Sequence, residues 1–103
     1  MKKDKFKTDV IFRIWNNKKF AGDHILALFP HEVCDFNGNV TSYIHIGQHG
    51  GANYNHCVNA SKLAKESEYK DLFEELESIG YNLNVIKKQN YDKYLKSYKE
   101  ARR

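Results

Sequence analysis

The chain has 103 residues and a formal net charge of +4, with 41% hydrophobic and 14% aromatic residues. That length suits one hydrophobic core rather than two marginal ones, and the aromatic content excludes a disordered polar chain despite a mean hydropathy of −0.75. No apolar run approaches the roughly 18 residues of a membrane span, and the opening Met1 to Lys7 lacks the apolar stretch of a secretion signal, so a cytoplasmic protein with reduced Cys34 and Cys57 is expected.

Residues 1–8 read as a disordered basic leader, and residues 9–103 as a single domain. Val10 to Trp15 has the β-branched and aromatic density of a strand, with Arg13 its one charge. The polar stretch Asn16 to Asp23 connects it to His24–Phe29, a continuous apolar run that suits a strand covered on both faces. Pro30 ends regular pairing there or marks a bulge. Asn37-Gly38 predicts a type I′ hairpin into a third strand, Val40 to Ile46, where Ile44 and Ile46 share one face and Tyr43 and His45 the other.

Gly47-Gln48-His49-Gly50-Gly51 then predicts a sharp turn, because three glycines within five residues exceed what packing requires. Apolar positions at Tyr69, Leu72, Phe73, Leu76 and Ile79 give one stripe of a helix whose start is open between Ser61 and Ser67. Its end is placed by Gly80 as a left-handed cap, with Tyr81 returning onto Leu76. Asn82 to Lys87 alternates as a fourth strand, and Asn90 caps a last helix in which Tyr91, Tyr94, Leu95 and Tyr98 form a stripe. The expected fold is α+β: a β-β-β-α-β-α two-layer sandwich, with a mainly antiparallel four-stranded sheet and two helices over one face.

Charge is segregated. Glu66 to Glu77 holds six acidic residues against Lys70, whereas Lys87 to Arg103 holds seven basic residues against Asp92 and Glu100. Lys93, Lys96, Lys99 and Arg102 therefore form a candidate surface for nucleic acid or another anionic partner, with the helix tyrosines available to stack on bases. The alternative is a solvated helix face whose tyrosines pack on the sheet.

The glycine segment is the candidate ligand site. Exposed amides at Gly47 and Gly50, with donors on His45, Gln48 and His49, suit a phosphate or carboxylate, and Arg13 completes the set if its strand lies alongside. Gly47 to Gly50 also matches the GxxG loop of KH domains. It follows a strand, however, rather than joining two helices. A metal-dependent hydrolase built on His45, His49, His56 and Cys57 is the enzymatic alternative, although no C-x-x-C or H-E-x-x-H spacing is present and no metal or cofactor is assigned. Adjacency of His56 to Cys57 does not supply the geometry of a thiolate and its base.

The segments Val10–Arg13, Ala27–Pro30, Ser42-Tyr43, His45–Gly50, Glu68-Tyr69 through Leu76, and Ile79–Tyr81 with Leu83 to Val85 cover about three quarters of the chain. In them it resembles a widespread group of small proteins encoded by bacteria, their phages and other mobile elements. It departs from that group in the length of the Asn16–Asp23 connection and in having Lys65 where a helix-capping residue is expected. The resemblance implies an accessory role without a particular activity, in which compact domains bind a host protein, nucleic acid or a signalling nucleotide. The reading is of a non-enzymatic binding module that recognises a host protein, as an anti-defence inhibitor for example, or a phosphate-bearing ligand. A nucleic-acid-binding accessory protein is the second alternative.

Overall fold

The computed structural model describes residues 7–15, 25–44 and 48–101, with backbone alone for Ile44, Gln48 and His49. The connection 16–24 and residues 1–6, 45–47 and 102–103 lie outside the described residues. Those set aside include His45, Gly47 and Arg102.

β1 (Thr8–Trp15) and β2 (Ile25–Val33) pair antiparallel, and β3 (Val40–Ile44) adds to the far side of β2. β4 (Gln48–Ala52) closes that side as an edge strand. A short helix, α1 (Tyr54–Asn59), leads into β5 (Ser61–Leu63), and α2 (Glu66–Ser78) leads into β6 (Leu83–Val85), before the last helix, α3 (Tyr91–Ala101).

The outer edge of β1 is divided between two short strands. β6 pairs parallel with Thr8–Val10, and β5 pairs antiparallel with Arg13–Trp15. The amides of Ala64 and Ile86 extend these ladders by donating to the carbonyls of Phe12 and Val10. Thr8, which sequence places in the leader, is thus the first residue of the sheet, its amide bonded to the Asn82 carbonyl at 2.7 Å.

The α+β class and the mainly antiparallel sheet are as expected, but the sheet has six strands rather than four and there are three helices rather than two among the described residues. The layering differs as well. Val10, Phe12, Ala27, Phe29 and Tyr43 pack with Leu72 and Leu76 of α2 on one face, while Ile11, Leu26, Leu28 and Val40 pack with Cys57 of α1 and Tyr94 of α3 on the other. Helices on both faces explain why Leu26–Phe29 is apolar without alternation: each residue of the run is buried.

Local signals account for the element ends. The Gly80 amide donates to Glu77 and the Tyr81 amide to Leu76, with Gly80 at φ +110°, which is the Schellman arrangement that the sequence predicts. Tyr81 then stacks on Phe29 at 5.1 Å. At the other end of α2, Lys65 contributes no side-chain cap. Instead the Glu68 carboxylate accepts the Lys65 amide at 2.7 Å.

The β2–β3 connection is longer than the expected two-residue hairpin. The Cys34 amide donates to the Asn39 carbonyl at 2.8 Å, and the Asp35 carboxylate accepts the amides of Asn37 and Asn39 within the connection 34–39. Gly38 has φ +85°, and a Cβ there would stand 2.6 Å from the Tyr94 hydroxyl, which donates to the Gly38 carbonyl at 3.0 Å. The turn is therefore also the seat of α3. Pro30 falls where the β2–β3 register shifts between Phe29 and Val33, so its missing amide disturbs no regular ladder.

Two substitutions separate backbone strain from crowding. Gly80→Ala places a Cβ in open space at positive φ and is expected to destabilise by about 1–2 kcal/mol. Gly38→Ala adds the clash with Tyr94 and must cost more. Urea midpoints check this, and equal or reversed losses would contradict the docking of α3 on that turn.

Candidate functional site

Of the glycine segment that the sequence predicts as a turn, Gln48 to Gly51 lie in strand β4, and Gly47 lies outside the described residues. Its partners on β3 run from Val40 opposite Ala52, through Thr41 and Ser42 opposite Gly51 and Gly50, to Tyr43 opposite His49 and Ile44 opposite Gln48. Neither described glycine has positive φ. A Cβ on Gly51 would stand 3.1 Å from the Cys34 sulfur, whereas one on Gly50 would meet nothing within 4 Å. Close approach thus explains Gly51. No steric demand explains Gly50.

Arg13 does not lie beside this strand. In the order β4-β3-β2-β1-β5 it stands three strand spacings away, about 14 Å. The residue is 9% exposed, and its guanidinium closes the end of α1. Nε donates to the Ser61 hydroxyl at 2.7 Å and Nη2 to the carbonyls of Ser61 at 2.8 Å and Val58 at 3.3 Å, while the Ser61 hydroxyl donates to the Cys57 carbonyl at 2.5 Å. The last carbonyls of a helix have no partner within it, and a cation there also meets the negative end of the helix dipole. Arg13 is therefore a positioning residue that fixes α1 and β5 to β1, with its donors turned inward rather than toward a ligand.

Of the enzymatic set, only His56 and Cys57 have described side chains. His45 lies outside the described residues, His49 is known by its backbone on β4, and His56 and Cys57 stand side by side on α1, His56 exposed and Cys57 buried. Among the described residues no three His, Cys, Asp or Glu side chains gather in a group able to hold a metal ion. Burial raises the Cys57 thiol above its ordinary value, with Arg13 only partly offsetting this, and burial and the charge of Asp35 raise the Cys34 thiol. Neither sulfur has the lowered value of an activated nucleophile.

A polar knot joins the start of α3 to the sheet. The Asn90 amide donates to His31 Nε2 at 2.8 Å, so the proton of the neutral ring sits on Nδ1 and points at the Asp9 carboxylate 2.9 Å away. Asp9 also accepts Asn84 Nδ2 at 2.8 Å and lies 3.4 Å from Lys93 Nζ. Burial by itself would raise its pKa, but the hydrogen bonds from Asn84, His31 and Lys93 and the Lys93 charge together hold it below 3.8. The Gln89 amide donates to the Tyr54 hydroxyl at 2.9 Å, and Gln89 Nε2 donates to the Pro30 carbonyl at 3.0 Å. Residues 86–90 are thus tied to β1, β2 and α1 at once.

These ties form a cleft of about 180 Å³ at the N-terminal end of α3, walled by Asn37, Asn53, Tyr54, Asn55, Gln89 and Tyr91. α3 itself buries no side chain completely. It meets the sheet through Tyr94, through the Ser97 hydroxyl that accepts the Val33 amide at 3.0 Å, and through Lys93, leaving Lys96 and Lys99 exposed and Tyr91 63% exposed beside the cleft. The tyrosine stripe is therefore split: Tyr94 packs, and Tyr91 faces outward. Sequence reasoning does not find this cleft, although Asn53, which caps α1 by accepting the His56 amide at 2.9 Å, is a readable signal for its wall.

No protein-family model, curated protein or solved structure matches the chain. None of the described helices is long and apolar enough to cross a membrane.

Arg13→Met is expected to destabilise the fold by about 2–3 kcal/mol, because it removes three bonds from a cation and leaves buried carbonyls without donors. A change near zero in urea unfolding would contradict the positioning role. For Asp9 the folded pKa is the lower one, so its contribution is present above pH 3.8 and lost as pH falls through the folded value. Stability measured between pH 5 and 2 should fall more steeply in the wild type than in Asp9→Asn. Parallel profiles would refute the knot.

Proposed function

We propose that this chain is a non-enzymatic binding module for a phosphate-bearing polymer, single-stranded nucleic acid, engaged by the outer face of α3. The observation that carries the reading is the partial docking of this helix: Lys96, Lys99 and Tyr91 stay exposed while Tyr94 and Ser97 hold the helix to the sheet. Lysines along one helix neutralise phosphates and release counterions, and an outward tyrosine offers a stacking surface that a base can use only when it is unpaired. Lys87 and Lys88, both exposed, continue the charge toward the cleft, and Arg102 continues it in sequence. An accessory role in a phage or mobile element, as the sequence resemblance implies, is in keeping with such a ligand.

A host protein is the second reading, favoured by the outer edge of β4, where Gly50 has open space around it. An extended segment of a partner adds to such an edge through main-chain bonds. A partner bound there would slow hydrogen exchange at the amides of Gly50 and Gly51, and unchanged exchange in the complex would exclude it.

Fluorescence anisotropy with a labelled single-stranded oligonucleotide tests the leading reading. Binding should weaken as salt rises, and Lys96→Ala with Lys99→Ala should lower the log–log salt slope by about 0.7 for each phosphate that is no longer neutralised. Absence of binding at low salt to any DNA or RNA strand would overturn it.

A further inference from the structure

We infer that the cleft beside Tyr91 is a subsite for one unpaired nucleobase, a refinement that rests on the nucleic-acid reading of α3. Its lining carries no charge: Asn37, Asn53, Asn55 and Gln89 line it together with Tyr54 and Tyr91. A phosphate or carboxylate would find no cation inside. An uncharged planar group finds both aromatic surface and amide partners.

Existing hydrogen bonds leave particular groups free to read it. Asn53 uses its side-chain oxygen on the His56 amide, and Gln89 uses Nε2 on the Pro30 carbonyl, so Asn53 Nδ2 and Gln89 Oε1 have no partner among the described residues. The Tyr54 oxygen accepts the Gln89 amide and retains its own proton to donate. Donors and an acceptor in one cleft match the mixed edge of a base, which carboxamide side chains read through paired donor and acceptor contacts.

Size and placement agree with this. At about 180 Å³ the cleft falls below the roughly 300 Å³ at which pockets for larger ligands begin, so it admits one ring system and leaves the sugar and phosphate outside. There the backbone meets Lys88, the neighbour of the cleft residue Gln89, and the outward lysines of α3. The wall is already fixed before a ligand arrives, because Gln89 and Asn90 are bonded to Pro30, Tyr54 and His31. Little ordering is then lost on binding.

The test compares two oligonucleotides of equal length and charge, one carrying bases and one abasic, against wild-type protein, Tyr91→Ala and Tyr91→Phe. Tyr91 is exposed, so neither substitution threatens the fold. The wild type should bind the base-bearing strand at least about fivefold more tightly, Tyr91→Ala should erase that difference, and Tyr91→Phe should keep it. The salt slope should be the same for all three proteins. Equal binding of both strands by the wild type, with the slope intact, overturns the base subsite and the stacking role of Tyr91 while leaving phosphate neutralisation by the α3 lysines standing. A difference that survives in Tyr91→Ala overturns it too, and failure of both strands to bind removes both claims.

Discussion

Everything in this fold is referred to β1, a strand with no free side. Val10 and Phe12 are buried under α2, Ile11 is buried on the face of α1 and α3, one edge is taken by β2, and the other is shared by β5 and β6. The successive residues Val10 to Arg13 are all buried, so no position among them tolerates free solvation, and the one charge must be answered from within the protein. Arg13 is answered by the carbonyl ends of α1 and by Ser61. The same contacts that satisfy the cation fix α1, so burial of the strand and placement of the helix are one constraint.

The surface proposed to face the ligand is also held by that strand. Asp9, on the same face of β1 as Arg13, gathers His31, Asn84 and Lys93, and His31 in turn holds the amide of Asn90 that precedes α3. α1, held by Arg13, supplies Asn53, Tyr54 and Asn55 to the cleft, and the loop after β6 supplies Gln89. Two polar residues four positions apart on one strand thus position opposite walls of one site. The turn at Gly38 completes the arrangement by letting the Tyr94 hydroxyl approach the backbone. Charge then has a simple division of labour: the cleft is neutral, and the cations lie outside it on α3 and at Lys87 and Lys88.

Much of this is legible in the residues themselves, and the exceptions have physical causes. Gly80 followed by Tyr81, and Asn90 ahead of the tyrosine stripe, specify their helix ends locally, and both ends form as the sequence predicts. The continuous apolar run of β2 states that both faces are covered, but a four-stranded sheet with helices on one face does not use that information. β4 is hidden because glycines have no side-chain alternation to betray a strand, and the same permissiveness reads as a turn. α1 and β5, with six and three residues, are too short for periodicity to distinguish. Arg13 misleads for another reason: a lone charge in an apolar strand has the same appearance whether it serves a ligand or a helix end. His31, Asp9 and Asn84 converge from three strands, and no local pattern announces them.

Recognition is proposed to belong to the face of α3 and its cleft, not to the glycine segment. Amide chemical shifts of isotopically labelled protein, titrated with a short single-stranded oligonucleotide, test it most directly. The account predicts perturbation at Gly38, Asn55, Gln89 and Tyr91 and along α3 toward Lys99, with Gly50 and Gly51 unmoved. Perturbation confined to residues 48–52, with α3 silent, would contradict it.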